Sequence, residues 1–149
     1  MAVVAFAAAS MQLLAPGRDH TALSTAVAKR VEAEAPLFKE DDDKRRTTAY
    51  LVAIAFRESS FKVDAIGDKG RSFCAFQIHE TAGGTKALLT DVDACVGKAF
   101  AMLRMSMRLC PAFPLAWYAA GPNGCGNDRA QRISRDRMAI AARLLREVK

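Results

Sequence analysis

The sequence predicts a mainly α-helical domain with a small β-hairpin lobe. Several segments place apolar residues at helical spacing, and proline or glycine separates one segment from the next. Between residues 61 and 78 this periodicity disappears. The Gly-Asp-Lys-Gly sequence at 67–70 is typical of a tight turn, and residues 72–78 are expected to form a short strand of a hairpin or irregular lobe. With 149 residues, 51% of them hydrophobic, the chain can build one substantial core.

Two helices are predicted before the lobe. Residues 21–34 place apolar side chains four positions apart, and Pro36 ends this pattern. A mixed-charge loop at 39–46 leads into the second helix, predicted at about 44–59. We expect the acidic residues of this loop to cap the second helix and the remaining charges to face water.

Three helices are predicted after the lobe. Residues 92–109 are apolar on nearly all sides, which indicates a central buried helix whose methionines fill the core. Residues 115–122 form a short helix that Gly121 and Pro122 end. The last helix, at about 128–148, turns its apolar residues inward, and we expect its basic residues to face solvent.

The N-terminal segment has two interpretations. Residues 1–15 carry no charge, and the alanine run at 7–9 satisfies the small-residue rule for signal cleavage. The positively charged segment that normally begins a signal is missing. We therefore expect residues 1–18 to be either a secretory leader or an extra N-terminal helix, and residues 19–149 to form a single domain. No segment reaches the apolar length that a membrane span requires.

Four cysteines lie in the second half of the chain and bear on its compartment. None forms a Cys-x-x-Cys pair, so no metal site is expected. An even number in a small exported domain favours two disulfides, with buried free thiols as the alternative. Cys95 and Cys110 would lie about 22 Å apart along the predicted helix, too far to bond. The remaining pairings are 74–95 with 110–125, favoured by its shorter loops, and 74–110 with 95–125.

The net charge of +6 makes an anionic partner the expectation. Bacterial cell wall, nucleic acid and anionic membrane all qualify on charge. A nucleic-acid binder interleaves clustered basic residues with exposed aromatic ones. The basic helix at 128–148 contains no aromatic residue, so we expect no nucleic-acid partner.

Glu58 is the candidate functional residue that the helical pattern singles out. It lies seven residues after Leu51 and four after Ile54, so an apolar helix stripe ends in a carboxylic acid. Such an acid either is desolvated, with a raised pKa, or is compensated by a partner. The alternative is a glutamate at a frayed helix end with its carboxylate in water.

Three separated motifs occur in a defined order. They are Arg-Glu-Ser-Ser-Phe at 57–61, Ala-Phe-Gln-Ile at 75–78 and Ala-Trp-Tyr-Ala-Ala-Gly-Pro at 116–122. This pattern resembles the lysozyme-like lytic transglycosylases, the group of the soluble lytic transglycosylases and goose-type lysozymes. That family shows Glu-Ser at a helix end, then Gly-Leu-Met-Gln, then Ala-Tyr-Asn-Ala-Gly. The resemblance spans residues 47–126 and implies a lysozyme-like catalytic domain at 19–149 with Glu58 as the catalytic acid.

The match has departures. Cys74 and Ala75 stand where Gly-Leu is usual, and Phe76 stands for Met. Ala119 replaces the Asn, which removes one polar contact and leaves the reaction itself intact.

The resemblance implies a set of substrate contacts: Ser59, Ser60, Asp68, Phe76, Gln77, Trp117 and Tyr118. Phe76 is expected to form an apolar wall against a sugar face. Gln77 would hydrogen-bond sugar hydroxyls or an N-acetyl group, with a turn-capping amide as the alternative. The Tyr118 hydroxyl is expected near Glu58 or the sugar, with a purely structural tyrosine as the alternative. Trp117 would stack on a sugar or pack in the core.

The resemblance also implies a reaction. The substrate would be the glycan strands of peptidoglycan, cleaved between N-acetylmuramic acid and N-acetylglucosamine without metal or cofactor. Most glycosidases use two carboxylates, whereas these transglycosylases use one as acid and then as base. The C6 hydroxyl of the muramic acid would close a 1,6-anhydro ring, and a raised pKa suits such an acid. We expect a periplasmic or secreted monomer that its charge attracts to the anionic wall.

Two alternatives stay open. Goose-type lysozymes show Gly-Asp-x-Gly followed by Gly-Leu-Met-Gln-Val-Asp, and residues 67–70 match the first piece, so Asp68 would position a water for hydrolysis. His79 stands where the family has its second Asp, and we expect it to be a surface or loop histidine. The other alternative is an inactive cell-wall-binding protein. The joint presence of Glu58, Gln77 and Tyr118 argues against it.

Overall fold

A computed structural model describes residues 1–149 and contains six α-helices and a three-stranded antiparallel sheet. The helices are α1 (Val3–Leu14), α2 (Thr21–Ala33), α3 (Asp43–Ser59), α4 (Val92–Leu109), α5 (Ala116–Ala120) and α6 (Asp128–Glu147). The strands are β1 (Ile66–Gly67), β2 (Ser72–Phe73) and β3 (Ile78–His79). Short 3₁₀ turns occupy Glu80–Ala82, Lys86–Leu89 and Gly121–Asn123. The prediction of a mainly α chain with a small β lobe is confirmed.

Helix α3 is the centre of the molecule. Every residue from 47 to 55 is buried, and α1, α2 and α6 pack around this helix. Alanine at 49, 53 and 55 lets the neighbouring helices approach closely, while Leu51 and Ile54 fill the space between them with no exposed surface. The burial of α3 on all sides gives its C-terminal end a fixed position.

The prediction that residues 92–109 form the central helix is wrong. Helix α4 packs mainly against α2 and leaves Lys98, Ala101 and Met105 exposed. Its methionines do not fill the core, because Met102 and Met107 are only partly buried. Apolar composition on all sides did not identify the central helix, since methionine and alanine tolerate partial exposure.

The N-terminal residues form a packed helix in this structure. Phe6, Ala7 and Met11 of α1 are buried against α2 and α3. Helix α1 thus contributes to the same core as the rest of the chain. None of the helices combines the length and the apolar character that a membrane-spanning helix needs.

The β lobe consists of three two-residue strands. Gly67 pairs with Ser72 in the first hairpin, and Ser72 pairs with His79 in the second. Asp68 and Lys69 have φ angles of 49° and 56°, as the two central positions of a type I′ turn require. The predicted turn at 67–70 is therefore confirmed.

The predicted strand at 72–78 is interrupted. It divides into β2 and β3, and between them Cys74 and Gln77 adopt positive φ angles of 66° and 49°. The Gln77 backbone N–H donates to the Cys74 carbonyl at 3.1 Å and closes this turn. The sequence offered no glycine at these positions, so the turn was not predictable from local composition.

Two disulfides hold the loops against the helices. Cys74–Cys95 joins the turn after β2 to α4, and Cys110–Cys125 joins the end of α4 to the loop before α6. This is the favoured pairing, and Cys95 and Cys110 lie near opposite ends of one helix as predicted. Two disulfides are compatible with a secreted protein.

Replacement of Leu51 by alanine should lower the free energy of unfolding by about 3 kcal/mol, since Leu51 is fully buried and its loss leaves a cavity. Leu109→Ala is the matched control, because Leu109 is 47% exposed, and it should change stability by less than about 0.5 kcal/mol. Urea unfolding followed by circular dichroism measures both. Equal losses in the two variants would contradict the central position of α3.

Mild reduction of the folded chain should open Cys110–Cys125 before Cys74–Cys95. Attack on a disulfide requires access to a sulfur, and Cys125 is partly exposed whereas Cys74 and Cys95 are buried. Timed alkylation followed by mass spectrometry measures the order. Simultaneous labelling of all four thiols would indicate reduction through global unfolding instead.

Candidate active site

Glu58 lies in the last turn of α3, where the buried part of the helix ends. The next residues stop the helix, because Ser60 and Phe61 adopt left-handed φ angles of 52° and 67°. The Glu58 side chain is 22% exposed. Arg137 of α6 donates a hydrogen bond from Nη2 to Glu58 Oε1 at 2.6 Å. Glu58 is therefore neither a frayed surface residue nor an isolated buried acid.

Burial raises the pKa of Glu58 above its ordinary value of 4.5. The positive charge and the hydrogen bond of Arg137 act in the opposite direction and lower that pKa, while the negative charge of Asp68 adds to the rise. Burial has the largest effect, so the net pKa is raised. A carboxyl group in this setting holds a proton closer to neutrality than an exposed glutamate does.

The two carboxyl oxygens of Glu58 differ in their surroundings. Oε1 accepts the hydrogen bond from Arg137, whereas Oε2 accepts none. Oε2 is also not among the buried polar atoms that lack a partner, so it has solvent access. Glu58 lines a cleft, and Oε2 is the carboxyl oxygen that no protein donor occupies.

The cleft has a volume of about 600 Å³, within the range of small-ligand and oligosaccharide sites. One side comes from the β lobe and the following turn: Asp68, Ser72, Gln77, His79, Thr81 and Ala82. The other side comes from α4, α5 and the segment after α5: Met102 and residues 117–122. The structure thus brings together five of the predicted site residues, namely Glu58, Asp68, Gln77, Trp117 and Tyr118.

Tyr118 is buried beside Glu58. Its hydroxyl donates to the Phe76 carbonyl at 3.1 Å, and its backbone N–H donates to Ser106 Oγ at 3.1 Å. Burial, followed by the negative charge of Glu58, raises the pKa of Tyr118 well above its ordinary value. The phenol therefore stays neutral and ties α5 to the turn of the β lobe.

The Gln77 side chain caps a turn, which was the alternative to a sugar contact. Its amide nitrogen donates to the carbonyls of Cys74 at 2.9 Å and Ala65 at 3.2 Å. Its Oε1 lies against Gly67, where an added Cβ would approach to 2.0 Å, so any other residue at that position would displace the Gln77 amide. Both amide hydrogens are committed to the turn, and only Oε1 is left to accept a bond from a ligand.

Asp68 and His79 lie on the lobe side of the cleft. The Ser72 hydroxyl donates to Asp68 Oδ2. His79 was expected to be a surface or loop histidine, but it lines the cleft. Its Nδ1 accepts from the Thr81 N–H at 3.2 Å, which leaves Nε2 as the other polar atom of the ring.

Three predicted substrate contacts are corrected by the structure. Phe76 is fully buried, so its ring packs in the core and cannot form a wall against a sugar. Ser59 Oγ donates to the Ala75 carbonyl at 2.8 Å and thereby fastens the end of α3 to the lobe. Ser59 and Ser60 line a separate depression beside Arg18 rather than the cleft.

Arg137 is the site residue that sequence reasoning missed. The basic residues of the last helix were expected to face solvent, yet Arg137 is only 6% exposed. The helical spacing does predict that residue 137 is buried. It lies four residues after Ile133 and four before Ala141, within the apolar stripe of α6. An arginine in that stripe indicates an anionic partner inside the fold.

Comparison of the chain with protein-family models, curated proteins and solved structures finds no match. The chemistry of the site therefore rests on its own geometry. A carboxyl group with a raised pKa and one free oxygen facing a cleft can act as a general acid and, once ionised, as a general base. No cluster of three His, Cys, Asp or Glu side chains in the structure could hold a metal ion.

Glu58 should make the stability of the protein depend on pH. Its folded pKa is raised, so between the unfolded and folded values the folded chain binds more protons, and stability falls as pH rises through that interval. Glu58→Gln removes this contribution. The free energy of unfolding of the variant minus that of wild type should increase as pH rises from below 4.5 towards neutrality. Urea unfolding across this pH range measures the difference, and a constant difference would contradict the raised pKa.

Proposed function

We propose that the protein is a peptidoglycan lytic transglycosylase with a lysozyme-like fold and that Glu58 is its acid and base. The observation that carries this proposal is the setting of Glu58. Its side chain is largely buried at the end of a helix that lines the cleft, its pKa is raised, and Oε2 is free of protein hydrogen bonds. A general acid at a glycosidic oxygen needs this combination of a retained proton and access to the substrate.

The arrangement of elements supports the lysozyme-like part of the proposal. A buried helix ends in the acid, a small antiparallel sheet follows, and the cleft lies between that sheet and the later helices. The three sequence motifs that resemble the transglycosylase family meet here: Glu58 from the first, Gln77 from the second, and residues 117–122 from the third.

The proposed reaction proceeds in two proton transfers. Glu58 protonates the glycosidic oxygen of the leaving N-acetylglucosamine as the bond from C1 of N-acetylmuramic acid to that oxygen breaks. The muramic C6 hydroxyl then bonds to C1, and its proton returns to Glu58. A 1,6-anhydro ring results, and neither water nor a cofactor is consumed. A residue that acts first as acid and then as base transfers protons most efficiently when its pKa lies closer to neutrality.

The cleft offers surfaces suited to a sugar chain. Trp117, Met102 and Pro122 provide apolar area for the faces of sugar rings, and Asp68 and His79 provide polar atoms for their hydroxyls. The net charge of +6 would concentrate the protein on an anionic cell wall. Together with two disulfides, these features support a monomer that acts in the periplasm or outside the cell.

A hydrolase is the second candidate function, and the position of Asp68 favours it. Asp68 lines the same cleft as Glu58 and accepts a hydrogen bond from Ser72, which fixes the carboxylate. A second oriented carboxylate could direct a water to the anomeric carbon. The family's usual second aspartate is replaced by His79, so transglycosylation remains the preferred reaction.

Digestion of purified peptidoglycan, with mass analysis of the soluble products, tests the proposal. Wild-type protein should release products with 1,6-anhydromuramyl ends. Products heavier by one water, with reducing ends, would establish hydrolysis and make Asp68→Asn the next variant to measure. Absence of any glycan cleavage would contradict both reactions and leave the wall-binding alternative.

Glu58→Gln should lower the digestion rate by at least about 10³-fold, because the amide cannot donate a proton to the leaving oxygen. The fold should be retained, since the amide oxygen still accepts a bond from Arg137. Asp64→Asn is the control, because Asp64 is exposed and lies outside the cleft, and it should digest at the wild-type rate. Retained activity in Glu58→Gln would contradict the single-acid mechanism.

A further inference from the structure

Two ion pairs join α3 to α6 at consecutive positions. Arg57 donates two hydrogen bonds of 2.8 Å to Asp136, and the next residues along each helix form the pair between Glu58 and Arg137. The polarity is reversed, because the arginine is on α3 in the first pair and on α6 in the second. The first pair is about half exposed, whereas the Arg137 side chain is 8% exposed.

Helix docking does not explain the buried pair. Arg57 and Asp136 already fasten the same two helices at the surface, with good geometry and little desolvation. Arg137, by contrast, has its Nε and Nη1 groups buried without a hydrogen-bond partner, which is costly. Apolar side chains in place of both partners would avoid this loss of solvation. The contact that distinguishes Arg137 is its hydrogen bond to Glu58.

We propose that Arg137 is a positioning residue for Glu58, holding Oε1 so that Oε2 faces the cleft as the oxygen that gives and takes the proton. The hydrogen bond to Oε1 is 2.6 Å long, and Arg137 is the sole hydrogen-bond partner of this carboxyl group. A carboxyl fixed by one oxygen cannot rotate freely, so the free oxygen keeps a defined direction. Arg137 does not line the cleft, so it would act through Glu58.

The positive charge of Arg137 has a second consequence during the reaction, which rests on the proposed function. When Glu58 gives its proton to the leaving oxygen, a carboxylate forms in a largely buried position. The guanidinium neutralises that charge until the C6 hydroxyl proton returns. Without Arg137 the carboxylate would be poorly stabilised, and proton donation would become slow.

Several charged or titratable groups face Glu58 from the surrounding elements. Arg137 comes from α6, Tyr118 from α5, Asp68 from the turn between β1 and β2, and His79 from β3. Arg137 and Asp68 act on the Glu58 pKa in opposite directions. Loss of the arginine therefore leaves burial and Asp68 acting together, and the pKa of Glu58 should rise further.

Three variants of the full chain test this inference. Arg137→Met removes the charge and the unpartnered N–H groups while keeping an unbranched side chain that can replace the aliphatic part of the arginine. Arg137→Lys keeps the charge. Arg57→Met is the matched control, since it removes the exposed pair between the same two helices without reaching the cleft. Carbon-13 NMR of the side-chain carboxyl groups gives the Glu58 pKa directly, with Glu58→Gln used to assign the signal.

Arg137→Met should raise the pKa of Glu58 and move the alkaline limb of the kcat profile to higher pH. It should also lower kcat about 10²-fold with KM little changed, because the acid is misplaced rather than the substrate. Arg137→Lys should restore the Glu58 pKa and kcat in part, and Arg57→Met should change neither the pKa nor kcat. An unchanged Glu58 pKa in folded Arg137→Met would overturn the inference, and so would a kcat in Arg137→Lys no higher than that in Arg137→Met.

The NMR titration separates this inference from the proposed function. If wild-type protein leaves peptidoglycan intact but the Glu58 pKa rises in Arg137→Met, the positioning role stands and the proposed substrate fails. If peptidoglycan is cleaved and the pKa does not respond to Arg137, the proposed function stands and the positioning role fails.

Discussion

The complete burial of α3 is the constraint on which the rest of the structure depends. Nine consecutive residues, 47 to 55, are buried, and three helices pack around this one. Close packing on all sides leaves the helix no freedom to shift. The position where this burial ends, one turn before the C-terminus, is therefore fixed with respect to the β lobe and α6. Glu58 lies in the turn that follows, three residues beyond Ala55, so the packing of α3 sets where its carboxyl group lies.

Burying an acid in this way creates a problem that the fold solves only in part. Desolvation favours the protonated form of Glu58, and Arg137 opposes this with a positively charged donor 2.6 Å from Oε1. This compensation is itself unfavourable, because two nitrogen atoms of Arg137 are buried without hydrogen-bond partners. Such a local loss of stability is common where a protein keeps a reactive group in place. The remaining stability comes from the helix core, which does not include these polar atoms.

The wall of the cleft opposite the helices is held by specific cross-links rather than by regular structure. Two-residue strands form few ladder bonds, and Cys74 and Gln77 adopt left-handed conformations. The Cys74–Cys95 disulfide, the Gln77 amide and the Ser59 hydroxyl compensate, since each ties the lobe to itself or to a helix. Tyr118 closes the arrangement by donating from α5 to the Phe76 carbonyl. The second motif thus builds the wall of the cleft, and of its four side chains only that of Gln77 lines the cleft itself.

Local sequence patterns were enough to predict helices α2 to α6, the turn at 67–70 and the place of Glu58 at the end of an apolar stripe, whereas α1 was left open between a leader and a helix. These features depend on periodicity and turn chemistry within about ten consecutive residues. Such local patterns can be seen directly in the sequence. Only the tertiary structure decided that α3 rather than α4 is central, that Phe76 and Ser59 are removed from the cleft, and that Arg137 reaches Glu58. The last contact joins residues 79 positions apart. Its formation depends on how two helices dock, and docking is settled by the summed packing of the whole core, which no local pattern contains.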